Sequence, residues 1–124
     1  MTQQNRVFRL ITEMDCEEAK KTDRIPLVPV DREDGYVHLS PKGQVLNTAG
    51  LYFAPGSALH VLEFDAVVFG SDLKWEWVPE REDDFPHLYN LDLRWHQACF
   101  LHTINWSTEG EPAWGNRRPI NTAK

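Results

Sequence analysis

The sequence predicts a single α+β domain, because helix patterns lie in the first half of the chain and strand patterns in the second. The chain has 124 residues, about the length of one domain. We place the domain at residues 6–106. It would lie between a frayed N-terminus at 1–5 and an irregular tail at 107–124, which is rich in Gly, Pro and Asn.

The first strand and the first helix follow from short local signals. Residues 7–11 (VFRLI) are typical of a strand. Thr12, followed three residues later by Asp15, predicts a helix N-terminus, and we expect that helix to end near Asp23. The two prolines at 26 and 29 predict an extended, irregular segment.

A second strand and a second helix come next. The pair at 34–35 (DG) indicates a turn, and residues 36–39 are typical of a short strand. Ser40 and Pro41 predict the N-cap and the first position of a helix. Apolar residues then recur every three to four positions until the pair at 55–56 (PG) ends the helix.

The second half of the chain predicts strands at 58–64, 73–78 and 98–106. In the middle one, apolar residues alternate with Lys74 and Glu76, so the two kinds of residue should lie on opposite faces. The charged run at 80–84 (EREDD) is typical of a solvated loop.

Composition and charge exclude several classes of protein. No apolar run approaches the roughly 20 residues that cross a bilayer, and no apolar signal core follows the first residues, so we expect a cytoplasmic protein. The net charge is −6, and residues 25–95 hold twelve acids and five bases, which disfavours nucleic acid as a partner. Cys16 and Cys99 are expected to be reduced thiols.

His38 and Ser40 form the first candidate site. In a strand they would point to the same face, and the predicted helix start beside them would offer free N–H groups to an anion such as a phosphate. The alternative is that His38 only bonds a neighbouring backbone group and Ser40 only caps the helix.

Glu76 lies between Trp75 and Trp77 in the sequence. If the indoles shield it, its pKa should rise and it could act as a general acid or base. The alternative is an exposed carboxylate paired with Lys74.

Residues 85–89 (FPHLY) place His87 between aromatic residues, including Tyr89, where a planar ligand could bind. The alternative is that the rings serve the core. We expect no metal site, because in a strand Cys99 would face away from His96 and His102.

These motifs together resemble a small bacterial family, domain of unknown function 952. They are DGYVHLS at 34–40, YF at 52–53, LKWE at 73–76 and FPHLY at 85–89. The resemblance covers roughly residues 6–105. It implies the ADP-ribosyltransferase superfold, a compact α+β domain with a split, mainly antiparallel sheet and a cleft for NAD.

The resemblance also implies roles for individual residues. His38 and Ser40 match the strand His and the following Ser or Thr that contact NAD, and Tyr52 is the nearest match to the Tyr that stacks on nicotinamide. Residues 98–106 contain no Glu, so Glu76 or His87 would fill the place of the superfold's late-strand Glu.

Three functions follow from these observations. In the first, the protein binds NAD and cleaves its nicotinamide–ribose bond; His38, Glu76 and His87 are then catalytic, and the ligand-binding residues are Ser40, Tyr52, Trp75 and Tyr89. In the second, the domain binds a nucleotide or another small ligand without chemistry. In the third, it processes RNA phosphates, which the acidity of the chain disfavours.

Overall fold

The computed structural model describes residues 5–120, and these form an α+β domain with two antiparallel sheets. In chain order the elements are β1 (Arg6–Thr12), α1 (Glu13–Thr22), α2 (Pro29–Asp34), β2 (Val37–His38), α3 (Val45–Tyr52), β3 (Leu59–Asp65), β4 (Leu73–Val78), β5 (Asp83–Leu88), β6 (Ala98–Trp106) and β7 (Pro112–Pro119). The strand orders are β1-β3-β6-β7 and β2-β5-β4. The predicted α+β class is confirmed.

The start and end of α1 agree with the local signals. The Thr12 hydroxyl accepts a hydrogen bond of 3.2 Å from the Asp15 backbone N–H, as expected of an N-cap. Asp23 ends the helix with a left-handed backbone (φ 67°), and its N–H donates to the carbonyl of Ala19. The side chains of Cys16 and Ala19 are buried, so this short helix is held by packing.

The prediction of an irregular segment around Pro26 and Pro29 is wrong from Pro29 onward, because α2 begins there. Proline is tolerated in the first turn of a helix, where its missing N–H would have no helical partner. Gly35 ends α2 with a left-handed backbone (φ 82°), and its N–H donates to the carbonyl of Asp31. The predicted turn at 34–35 is therefore a helix C-terminus.

Ser40 does not cap a helix. Its backbone N–H donates to the carbonyl of Phe8 (2.8 Å), and its carbonyl accepts from the Phe8 N–H (2.9 Å). This bridge keeps Ser40 extended beside β1, and the following 3₁₀ turn begins at Lys42 without a side-chain cap. The predicted phosphate-binding helix start at Ser40 is therefore wrong.

The core lies on both faces of the four-stranded sheet. On one face α1 and the inner side of the three-stranded sheet pack against Val7, Leu62 and Phe64. On the other face α3 packs against Phe8 and Val61. The three-stranded sheet thus has one face in the core and leaves its other face for the cleft described below.

The C-terminal segment is part of the sheet. The prediction of an irregular tail is wrong for residues 112–119, since β7 pairs antiparallel with β6 along the sheet edge. Residues 1–4 and 121–124, the outer parts of the predicted termini, lie outside the described residues. Local turn residues suggested a tail, whereas pairing with a distant strand decided the structure.

Cys16 and Cys99 are both free thiols, as expected. Among residues 5–120, no helix is long and apolar enough to cross a membrane.

We expect Gly115→Ala to destabilise the fold because of the close packing of β7 on β6. A Cβ at Gly115 would overlap the Thr103 hydroxyl and lie 2.9 Å from its carbonyl oxygen. Such overpacking costs about 1–3 kcal/mol, measurable by urea denaturation. Gly43→Ala is the matched control, since nothing lies within 4 Å of a Cβ there, and it should change stability by less than about 0.5 kcal/mol. Equal effects of the two changes would contradict an ordered β7.

Candidate functional site

A cleft of about 470 Å³ opens where α2, α3, the end of β1 and the β4–β5 hairpin meet. Four of the residues predicted from the sequence line it: His38, Ser40, Tyr52 and His87. Its volume is within the range of small-molecule sites. These residues come from β2 and the bridge residue after it, from α3 and from β5, and the fold brings these parts of the chain together.

His38 and His87 meet because β2 and β5 pair antiparallel, with His38 directly opposite His87. Directly opposed residues have their side chains on the same face of a sheet, and the two ring centroids are 5.8 Å apart. Tyr36, which sequence reasoning did not single out, stacks on His87 with ring centroids 4.1 Å apart. Burial, followed by the charges of Asp34 and Glu76, raises the pKa of the Tyr36 hydroxyl.

His87 is buried and is oriented by a carboxylate. Its Nδ1 lies 2.7 Å from Oε1 of Glu76, which also accepts the Tyr89 hydroxyl at 2.7 Å. Because an ionised carboxylate only accepts hydrogen bonds, Nδ1 carries the proton. Within residues 5–120 Nε2 has no hydrogen-bond partner, so it is the ring nitrogen that is left free for a ligand. This is the arrangement of a general base held by a carboxylate.

The expectation that indoles shield Glu76 and raise its pKa is wrong. Hydrogen bonds from Tyr89 and His87 hold the pKa of Glu76 below its ordinary value. The same bond, with Glu76 as acceptor, raises the pKa of Tyr89 to about 12. Glu76 and Tyr89 are not among the residues that line the cleft. Glu76 bonds His87, which does line it.

Trp75 faces away from the cleft. The register of β4 on β5 places Glu76 opposite Phe85 and Trp75 opposite Pro86, so adjacent residues point to opposite faces. Trp75 packs against the core beneath the three-stranded sheet. Its predicted role in ligand binding is therefore wrong; the alternation seen in the sequence already separated it from Glu76.

His38 uses both ring nitrogens. Nδ1 lies 2.9 Å from Oδ1 of Asp31, and Nε2 lies 2.9 Å from Oδ2 of Asp34. The imidazole of His38 is therefore held by carboxylates on both sides, in contrast to His87.

Asp31 is fully buried and fully bonded. Its carboxylate accepts both Nη atoms of Arg9, at 2.7 and 3.3 Å, and the backbone N–H groups of Val28 and His38. Burial alone would raise its pKa, but the hydrogen bonds from His38 and Arg9 hold the pKa well below its usual range. These bonds attach α2 to β1 and β2, and so position one wall of the cleft.

Sequence reasoning missed Arg81. It lies in the run at 80–84, predicted as a solvated loop, yet Glu80 and Arg81 line the cleft, and Asp83 and Asp84 belong to β5. Arg81 Nη2 donates to Oγ1 of Thr48 at 2.7 Å. The sequence did offer one signal for a buried arginine, because Arg81 lies within an acidic run that is followed by Phe85. Charge patterning alone, however, predicts a solvent-exposed segment.

The potential metal ligands at 96–102 are engaged separately. His96 bonds Asp23 at 2.6 Å, and His102 bonds Glu63 at 2.7 Å. Residues 5–120 contain no cluster of three or more His, Cys, Asp or Glu side chains that could hold a metal ion.

Asp31→Asn should destabilise the protein by about 3–5 kcal/mol at pH 7, because it leaves the buried Arg9 unpaired. The effect should depend on pH. The pKa of Asp31 is lowered on folding, so its contribution is full above the unfolded value of about 3.9 and is lost as pH falls further. Urea denaturation at pH 7, 5 and 3 should show the difference between wild type and variant shrinking towards low pH.

Asp34→Asn is the matched control. Its side chain is 42% exposed and bonds the same imidazole, so we expect a loss below about 1 kcal/mol. A loss as large as that of Asp31→Asn, or a difference for Asp31→Asn that pH does not change, would contradict the assigned role of the buried carboxylate.

Comparisons with known proteins extend over this site. A crystal structure of CC0527 from Caulobacter crescentus is 29% identical, with a TM-score of 0.77, and the match covers 87% of this chain and 93% of that one. Its solution NMR structure is also 29% identical, with a TM-score of 0.74 over 86% and 90% of the two chains. No curated protein matches. The model of the family described as protein of unknown function (DUF952) matches residues 10–99, which hold every candidate residue. The protein belongs to the DUF952 family.

Proposed function

We propose that the cleft binds a nucleotide such as NAD and that His87 acts there as a general base in cleavage of the nicotinamide–ribose bond. The observation that carries the proposal is the His87 ring in the cleft wall, with Nδ1 bonded to Glu76 and Nε2 free. This proposal retains the implied relation to the ADP-ribosyltransferase superfold. In this proposal His87 is the catalytic residue, and Glu76 is the residue that positions the His87 ring.

The lining of the cleft supports a planar, positively charged ligand. Aromatic rings come from Tyr36, Tyr52 and Phe85, and carboxylates come from Asp34 and Glu80. Aromatic faces and negative charge both favour a cationic ring such as the nicotinamide of NAD. Tyr52 is 66% exposed, which leaves its ring accessible to a ligand.

The proposed reaction balances as a hydrolysis. Water attacks the ribose carbon that bears nicotinamide, the carbon–nitrogen bond breaks, and its electron pair leaves with neutral nicotinamide. The proton of the attacking water passes to Nε2 of His87, and the carboxylate of Glu76 stabilises the resulting imidazolium. An acceptor hydroxyl in place of water would give ADP-ribosyl transfer.

A second candidate function is ligand binding without chemistry. The carboxylate of Glu76 lies outside the cleft lining, and strands β6 and β7 contain no Asp or Glu. A cleft without a carboxylate at the end of the sheet would retain the ligand but not the stabilisation of the developing cation.

The enzymatic proposal is tested by incubating the protein with NAD and measuring the released nicotinamide by chromatography. His87→Gln should lower the rate by about 10²–10⁴, as expected for loss of a general base. Glu76→Gln should cause a smaller loss. It should also change the ¹⁵N shifts of the His87 ring, which report which nitrogen carries the proton; a purely structural role would leave them unchanged.

His60→Gln is the matched control, because His60 bonds Glu13 and does not line the cleft. NAD at 100 times its Kd should stabilise the fold by about 2.7 kcal/mol, visible as a rise in Tm. Absence of both nicotinamide release and a rise in Tm would overturn the proposal. A rise in Tm without release would establish the second candidate function.

A further inference from the structure

The β4–β5 turn holds a charged side chain that the proposed chemistry does not use. Arg81 is half-buried in the cleft wall, and its guanidinium lies over the ring of Phe85, 4.6 Å from the centroid. Its Nη2 donates to Thr48 and to Oε1 of Gln44 at 2.7 and 3.1 Å. Gln44 is itself fixed by a 2.9 Å bond from Nε2 to Asp83. The guanidinium is therefore held in one orientation.

The charge of Arg81 has no counter-ion among residues 5–120. Arg9, the other arginine in the cleft, is paired with Asp31 at 2.7 Å. The other arginine salt bridges of the described residues involve Arg6, Arg24, Arg94 and Arg117. Nε of Arg81 is buried without an acceptor. A half-buried cation without a partner lowers the stability of the fold, unless a bound anion accepts its free hydrogen bonds and balances its charge.

We propose that Arg81 forms an anion subsite of the cleft that binds a phosphate group of the ligand. This inference rests on the proposed function, in which the ligand is a nucleotide. Phe85 and His87 lie on the same face of β5, two residues and roughly 7 Å apart. A ribose 5-phosphate spans such a spacing, so the phosphate lies at Arg81 when the glycosidic carbon is near His87. The guanidinium fork matches phosphate oxygens.

The subsite is tested directly by NMR, through the resonance of the Arg81 Nε–H in ¹⁵N-labelled protein. This resonance is assigned by its loss from the spectrum of Arg81→Lys. We expect pyrophosphate and NAD to shift this resonance and nicotinamide riboside, which lacks phosphate, to leave it in place. The Arg9 Nε–H resonance is the internal control, because its guanidinium is already paired with Asp31.

Calorimetric affinities give the second measurement. Arg81→Met should weaken NAD binding about 10- to 100-fold, as for loss of a charge-assisted hydrogen bond, and should leave riboside binding unchanged. Arg24→Met is the matched control, since Arg24 is 70% exposed and pairs with Asp92; it should bind NAD like the wild type.

The outcomes separate the subsite from the proposed function. NAD binding that Arg81→Met leaves unchanged, with the Arg81 resonance unmoved, would overturn the subsite alone. A pyrophosphate response at Arg81 without binding of NAD or the riboside would support the subsite and overturn NAD as the ligand. No response to any of the three compounds would overturn both.

Discussion

The arrangement of the molecule depends on one buried carboxylate. Asp31 has no exposed surface, and its two oxygens accept hydrogen bonds from β1, from the start of α2 and from β2. An unpaired charge at this depth would be strongly unfavourable, so these elements must converge on it in one geometry. The Arg9 guanidinium also donates to the carbonyl of His38 at 2.9 Å. The link between the two sheets and the orientation of His38 thus have the same cause.

Each of the five histidines bonds a carboxylate, and three of them, His38, His87 and His102, differ in which ring nitrogens remain free. His38 has carboxylates on both ring nitrogens, so neither nitrogen is free. His102 is buried with Glu63, whose carboxylate also binds Arg6 and Arg117, so this pair belongs to a closed ionic network in the sheet. Among residues 5–120, only His87 combines a bonded Nδ1 with a free Nε2 at the cleft. That difference, rather than the residue type, is the reason why the proposed chemistry is assigned to His87.

The sequence predicted correctly those elements that are determined by interactions between neighbouring residues. The Thr12 cap and the alternation in β4 depend on neighbouring residues, and the predicted bounds of β6 agree with the structure. Ser40 and β7 were misread because pairing with distant strands overrode good local signals. The candidate site was predicted only in part, because some of its contacts also join residues that are distant in the sequence. His38 and His87 carried recognisable motifs, whereas the roles of Asp31 and Arg81 arise only from contacts made by folding.

The alternation of side chains in the three-stranded sheet separates a core face from a cleft face. Val37, Leu88 and Trp75 lie on its inner face and pack in the core, while Tyr36 and His87 lie on its outer face. Because adjacent residues point to opposite faces, one short strand can serve both without compromise. Of the two aromatic residues beside Glu76 in the sequence, Trp75 packs against the core below the sheet, whereas Trp77 is exposed. The ring stacked on His87 comes from Tyr36, 51 positions away along the chain. For a side chain on a sheet, strand register therefore predicts the contact partners better than proximity in sequence does.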